Sequence, residues 1–309
     1  MAEYNQVTNI CENGGFMFKK TRDYLKKIGL PERDQNDLPS SDKRFGDGSH
    51  FKIEIPTVNS VEAMEALLNE SNKIGVNINR VTETYGMFRH TQNEITEMVK
   101  LCAENNCELM MSTGPRASYD TSATATSAQG KTIAYRLRGQ EQLIRAIEDI
   151  RRGIDLGVKS FLIYDEGLLW VLNRMRKDQF LPFNIKFKIS AHCGHGNPAS
   201  FKLLEDIGAN SINPVRDLQL PMLSSLRQTI DIPLDCHTDN PVGSGGFIRV
   251  YEAPEIIRVA SPVYLKTGNS VLSEHGSPTT AKEGFRMARQ ASIVLEMVKK
   301  YYPEAIQSQ

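Results

Sequence analysis

The chain has 309 residues, 40% of them hydrophobic, which is enough for one large core and normal for a single α/β barrel. Its 37 Lys and Arg offset its 37 Asp and Glu, so the basic excess that holds proteins to phosphate backbones is missing and nucleic acid is not an expected partner. No stretch nears the roughly 20 apolar residues of a membrane helix, and Met1 to Gly14 lack the basic and apolar regions of a secretory leader. A cytoplasmic protein with no membrane partner is expected.

In chain order, residues 1–50 read as an N-terminal extension. It holds a basic helical stretch from Phe16 to Ile28 and a polar run rich in Asp, Pro and Ser, covering the barrel floor or an interface in a homo-oligomer. From residue 51 short apolar strands alternate with amphipathic helical stretches. The strands are expected near Phe51 to Thr57, Ile78 to Thr84, Cys107 to Thr113, Ser160 to Glu166, Ile185 to His192, Ser211 to Val215, Ile232 to Asp239 and Val263 to Gly268. Eight strands, each followed by a helix, predict a single (β/α)8 TIM barrel over residues 51–309, and no G-x-G-x-x-G follows the first strand.

Helix signals agree with this cadence. Asn59 with Glu62, and Thr280 with Glu283, have capping-box spacing; Asn197-Pro198 supplies an N-cap and a first-turn proline; Gly75, Gly157 and Gly208 close helices. A long loop follows strand three, Gly114 to Gly139, rich in Ser, Thr, Ala and Gly, with Arg116, Tyr119, Tyr135, Arg136 and Arg138 interspersed. It is either a lid whose Arg116 and Arg138 clamp an anionic substrate or a solvated excursion. Five cysteines (Cys11, Cys102, Cys107, Cys193, Cys236) without C-x-x-C spacing speak against disulfides and a zinc knot.

Pleat parity selects the lumen side chains. In strand one, outward Phe51, Ile53 and Ile55 turn Lys52 and Glu54 inward; in strand five, Lys188, Ser190 and His192 face in; strands seven and eight add Asp235, His237, Asp239 and Lys266. Buried charges must pair with one another or bind something charged, and both readings stand for Glu54 and Lys188. At the mouth, His192, His195, His237 and Asp239 have the ligand types of a divalent Zn, Mn or Fe site. Without a metal, His237 between Asp235 and Asp239 reads as a general base whose imidazolium the carboxylates stabilise.

Glycines after the last two strands, Gly243 to Gly246 and Thr267 to Ser270, stand where barrels bind phosphate through backbone N–H groups; Gly245, Gly246 and Asn269 are the expected contacts, or else the glycines serve only as turns. Lys266 is either an imine-forming amine or an ion-pair partner, and Arg216 is a further substrate contact. Asp165, Glu166, Glu83, Tyr85 and Asn213 are strand-end candidates of lower rank.

Several segments together resemble the barrel core of the collagenase-like peptidases, unassigned peptidase family 32. They are Ser190-Ala191-His192, Asn197 to Phe201, Leu204 to Asn210, Arg216-Asp217-Leu218 and His237, about a third of the chain. In that family an Asn-initiated helix, a Leu-Gly-Ala turn, an Arg-Glu-Leu segment and a strand ending in His-Gly follow in this order. Here Asp217 replaces the acidic Glu, and Asp239-Asn240-Pro241-Val242-Gly243 replaces the cysteine-rich stretch, so no iron–sulfur cluster is expected. The resemblance implies a hydrolase on a small polar or anionic molecule or a peptide. The alternatives are a carbon–carbon lyase or isomerase on a phosphorylated or carboxylated metabolite, and a non-catalytic ligand-binding barrel.

Overall fold

The computed structural model describes residues 19–32, 38–117, 123–128, 130, 134–272 and 276–309. Among them eight strands close into one parallel barrel in chain order: β1 (Phe51–Pro56), β2 (Arg80–Thr82), β3 (Glu108–Ser112), β4 (Ser160–Ile163), β5 (Lys186–Ile189), β6 (Ser211–Ile212), β7 (Leu234–His237) and β8 (Val263–Lys266). Each falls inside the span expected from the sequence. The strands are shorter because pairing stops where the loops leave the pleat.

The helices are α1 (Lys19–Lys27), α2 (Val61–Ile74), α3 (Gln92–Glu104), a short α4 (Ala123–Thr126), α5 (Gly139–Asp155), α6 (Glu166–Lys177), α7 (Pro198–Asp206), α8 (Leu220–Thr229), α9 (Ala253–Ala260) and α10 (Ala281–Tyr301). The apolar face of β1, Ile53 and Ile55, packs into the layer between sheet and helices with Leu67, Met98, Ile256 and Val294, all fully buried. That layer is the hydrophobic core, which leaves the inward positions of the strands free to be polar.

Local signals act as their chemistry requires. Asn197 accepts from the Ser200 N–H at 3.0 Å, with Pro198 opening α7, and the Glu283 carboxylate accepts from the Thr280 N–H at 2.8 Å at the head of α10. The cap of α2 is a correction: Ser60, not Asn59, accepts from the Ala63 N–H. Asn59 is drawn off because its Oδ1 accepts from the N–H groups of Thr84 and Tyr85, tying the end of β2 to that of β1.

The described part of the extension underlies the barrel floor. Phe45 sets its ring edge-on to Tyr264 at 5.3 Å, and Lys43 donates to the Ile230 carbonyl at 2.7 Å and pairs with Asp231. The first three residues of the expected basic helix, Phe16 to Phe18, lie outside the described residues, as do Cys11 and Tyr119.

Closure of the barrel brings the first and last helices of the repeat together. A Cβ on Gly284 of α10 would stand 2.2 Å from the Ala63 carbonyl oxygen of α2 and 3.1 Å from the Leu67 nitrogen, so only a hydrogen fits between these backbones. Gly284→Val is expected to lower unfolding stability by about 1–3 kcal/mol through overpacking, read by urea denaturation. Wild-type stability would contradict this close approach.

Candidate active site

Three rows of side chains fill the lumen. Nearest the floor, Arg80 Nε donates to Glu108 at 2.8 Å while its guanidinium lies 3.5 Å from the Tyr264 ring centre; Ser160 donates to the same carboxylate at 2.6 Å. In the middle row Lys188 Nζ donates to both oxygens of Glu54 at 2.6 Å and stands 3.1 Å from Asp235. Thr82 donates to Glu54 at 2.8 Å, and the second face of Arg80 reaches Asp235 at 2.9 Å. Glu54, Lys188 and Asp235 are fully buried.

Burial alone would raise the pKa of Glu54, but Lys188, Lys266 and Arg80 outweigh it and hold the carboxyl well below its usual range. Asp235 goes the other way: burial raises it, and the adjacent Glu54 adds to the shift against the pull of Lys188 and Arg80. Two carboxyls side by side in a dry interior divide in this manner, one ionised and one inclined to keep its proton.

The row at the mouth is built differently. Lys266 Nζ donates to Asn213 Oδ1 at 2.7 Å and lies 3.4 Å from Glu54. Burial, then Lys188 and Arg216, push its pKa down to about 7 despite Glu54 and Asp235. His237, beside Lys266 in the β7–β8 register, is buried with neither ring nitrogen hydrogen-bonded among the described residues. Arg216 donates to His192 Nε2 at 3.0 Å. Tyr135 stacks on His192 at 4.0 Å and on Tyr164 at 5.0 Å, and the Arg116 guanidinium lies 4.5 Å from the Tyr164 ring. Met110, Leu162 and Tyr164 form an apolar wall on the β3–β4 side.

The loop after β3 therefore reaches over the mouth with Tyr135. Its next residue, Arg136, pairs with Glu166 and donates to the Cys193 carbonyl at 3.2 Å; Glu166 also meets His195. Arg138 stands at the head of α5, half-buried, its N–H donated to Gln142.

Several sequence expectations need correction. His237 does not sit between carboxylates: Asp235 turns to the Lys188 and Arg80 row below, and Asp239 is withdrawn. Burial, with Lys266 and Arg216, holds the imidazole well below its usual pKa, so it is neutral rather than a stabilised imidazolium. The proposed ligands His192, His195, His237 and Asp239 do not converge. They face Arg216, Glu166, Lys266 and a backbone nest respectively, and among the described residues no three His, Cys, Asp or Glu gather as a metal site.

The glycine loops are also occupied by the chain itself. The Asp239 carboxylate accepts from the Gly268 N–H at 2.9 Å and the Ser270 N–H at 2.8 Å, in the place of an anionic ligand. Gly245 and Gly246 donate their N–H groups to Val242 and Pro241 within their own turn. Asn269 accepts from Thr57 and donates to Asn240. Burial pushes both the Cys193 and Cys236 thiols up to about 12, which removes them as thiolate nucleophiles.

Pleat parity did place Glu54, Lys188, Asp235, His237 and Lys266 in the lumen. It missed Arg80, whose inward direction follows from the outward Val81 beside it, and the stacking role of Tyr135 and Tyr164.

No family model matches the chain, and no curated protein matches it by sequence. Among solved structures the chain is similar to the YdjI aldolase from Escherichia coli K12, with 12% identity over 83% of this chain and 94% of that one at a TM-score of 0.49. It is similar also to D-psicose 3-epimerase from Clostridium cellulolyticum H10 (11% identity, 83% and 100% covered, TM-score 0.46). The U32 peptidase Mk0906 is a third (14% identity, 66% and 74% covered, TM-score 0.40). None of these assigns a reaction to the chain.

Removing the central carboxylate tests the lumen rows. Glu54→Ala leaves the Lys188 ammonium in a dry interior with Asp235 alone and is expected to cost about 3–5 kcal/mol of stability, read by chemical denaturation. A loss under about 1 kcal/mol, the range of an exposed pair, would show that the lumen is solvated instead.

Proposed function

We propose that the chain is a barrel enzyme of the lyase or isomerase class that holds a small carbonyl substrate as an imine on Lys266. The observation that carries this reading is the contrast between two buried lysines. Both oxygens of Glu54 are bonded by Lys188 at 2.6 Å, whereas Lys266 rests on the neutral amide of Asn213 and stands 3.4 Å from Glu54. Lys266 lies at the C-terminal end of β8, the rim at which barrels carry out chemistry, and its depressed pKa leaves much of the amine unprotonated at neutral pH.

The unprotonated Nζ adds to the carbonyl carbon, and the resulting hydroxyl leaves as water with a proton as the C=N bond forms. Protonation of that nitrogen gives an iminium, which draws the electron pair of an adjacent C–C or C–H bond into an enamine. In the C–C case a hydroxyl on the departing carbon gives its proton to the neutral imidazole of His237 and that carbon leaves as a carbonyl compound; in the C–H case the imidazole takes the proton and can return it to the same or the neighbouring carbon. Hydrolysis of the imine then restores the amine.

Hydrolysis of a substrate bond is a second reading, favoured by the unbonded, uncharged imidazole of His237 at the same rim. The two separate by reductive trapping. Cyanoborohydride with small aldehydes, ketones and oxo acids is expected to leave one reduced adduct on Lys266, seen by peptide mass spectrometry and absent in Lys266→Met. Because the reactive form lies above a pKa of about 7, the trapping rate is expected to rise with pH through that value. Adducts confined to exposed lysines would end the imine reading and leave the hydrolytic one.

A further inference from the structure

We infer that the carbonyl compound held by Lys266 carries a carboxylate next to its carbonyl, a 2-oxo acid, and that Arg216 receives that carboxylate. This rests on the imine reading and goes beyond it by naming the substrate class.

The first support is an uncompensated charge. Arg216 spends one N–H on His192 Nε2 at 3.0 Å, while its Nε is buried with no hydrogen-bond partner. Among the described residues it forms no ion pair with a carboxylate, and the groups acting on it besides burial are Tyr135 and Tyr164. A guanidinium largely withdrawn from water without a counter-ion is an incomplete site, because desolvation costs several kcal/mol unless an anion repays it. A carboxylate matches the planar fork of donors that Arg offers.

The second is the surroundings. Arg216 and His237 line one cavity, and His237 is the register partner of Lys266, so an anion on Arg216 falls near the amine. Asn213, three residues before Arg216 on the loop leaving β6, is the residue that bonds Lys266. The carboxylates that might have neutralised this rim are engaged elsewhere: Glu54 by Lys188, Asp235 by Arg80, Asp239 by the N–H groups of Gly268 and Ser270. His237, 4% exposed, adds two more unbonded polar atoms to the same place.

The glycine segments distinguish carboxylate from phosphate. Both glycine segments at which a barrel would cradle a phosphate have donated their N–H groups within the protein, one to Asp239 and the other within its own turn. Anion recognition is left to side chains, and the small, flat acid group suits a single guanidinium better than a tetrahedral dianion does.

The test compares cyanoborohydride trapping of the wild-type chain with pyruvate, methyl pyruvate and dihydroxyacetone phosphate, reading the adduct on Lys266. Half-saturation is expected at a concentration roughly 10-fold or more lower for pyruvate than for its ester, as befits a charged hydrogen bond. Arg216→Gln, with its fold checked by circular dichroism, is expected to abolish that preference while still trapping the ester. Equal trapping of acid and ester, or preferred trapping of the phosphate, overturns the inference and leaves the imine reading intact. A second measurement is free of imine chemistry: oxalate binding followed by calorimetry. Oxalate binding that is lost in Arg216→Gln and kept in Lys266→Met supports the carboxylate site even where nothing is trapped. Failure of oxalate to bind wild-type protein counts against it.

Discussion

The contact between Glu54 and Lys188 is the constraint on which the rest of the lumen depends. A fully buried carboxylate and ammonium are each expensive to desolvate, and the attraction between them repays this only at short range and with the remaining lone pairs filled. Here the pair is close, and Thr82, Arg80 and Asp235 complete it. Because its members come from β1, β2, β5 and β7, the pairing ties opposite walls of the barrel at one height. Apolar filling would hold the strands as well, but it would not specify which residues share a row.

That arrangement also sorts the cations. Lys188 bonds both oxygens of Glu54 and Arg80 bridges Glu108 to Asp235, so above them Lys266 reaches Glu54 only at 3.4 Å and bonds the amide of Asn213, while Arg216 bonds His192. The rim carries Lys266 and Arg216 on the β6–β8 side; the β3–β4 side is apolar and aromatic, with the Arg116 guanidinium set against the Tyr164 ring. Asp239, which would have offset this asymmetry, is held by backbone amides.

The barrel is legible in the sequence because its outward residues are apolar at every second position, so that parity in β1 and β5 leaves Glu54 and Lys188 facing inward. Their pairing is not legible: the two are 134 residues apart, and only closure of the sheet joins them. Parity also fails beyond the last ladder bond. Asp239 obeys it in the sequence, yet β7 ends at His237 and the chain turns the carboxylate toward the loop after β8. His192, His195, His237 and Asp239 suggested a metal, but Arg216 and Glu166 reach the first two and backbone amides hold Asp239, contacts that leave no local trace in the sequence. Arg80 escaped notice because Ile78 and Val81, the apolar residues of its expected span, have opposite parity and leave no consistent alternation.

The opposed shifts at Lys266 and Asp235 share one electrostatic cause. Glu54, Asp235 and Glu108 balance Arg80, Lys188 and Lys266 when all are ionised, and the balance is the same when Lys266 gives up a proton and Asp235 holds one. Burial penalises each charge, and the two displacements, Lys266 downward and Asp235 upward, both run in the direction that removes a charge. The unprotonated amine that the proposed imine chemistry calls for is thus compatible with a lumen free of net charge. The second carboxyl, inclined to keep a proton, is what makes the neutral amine compatible with a buried, ion-paired interior.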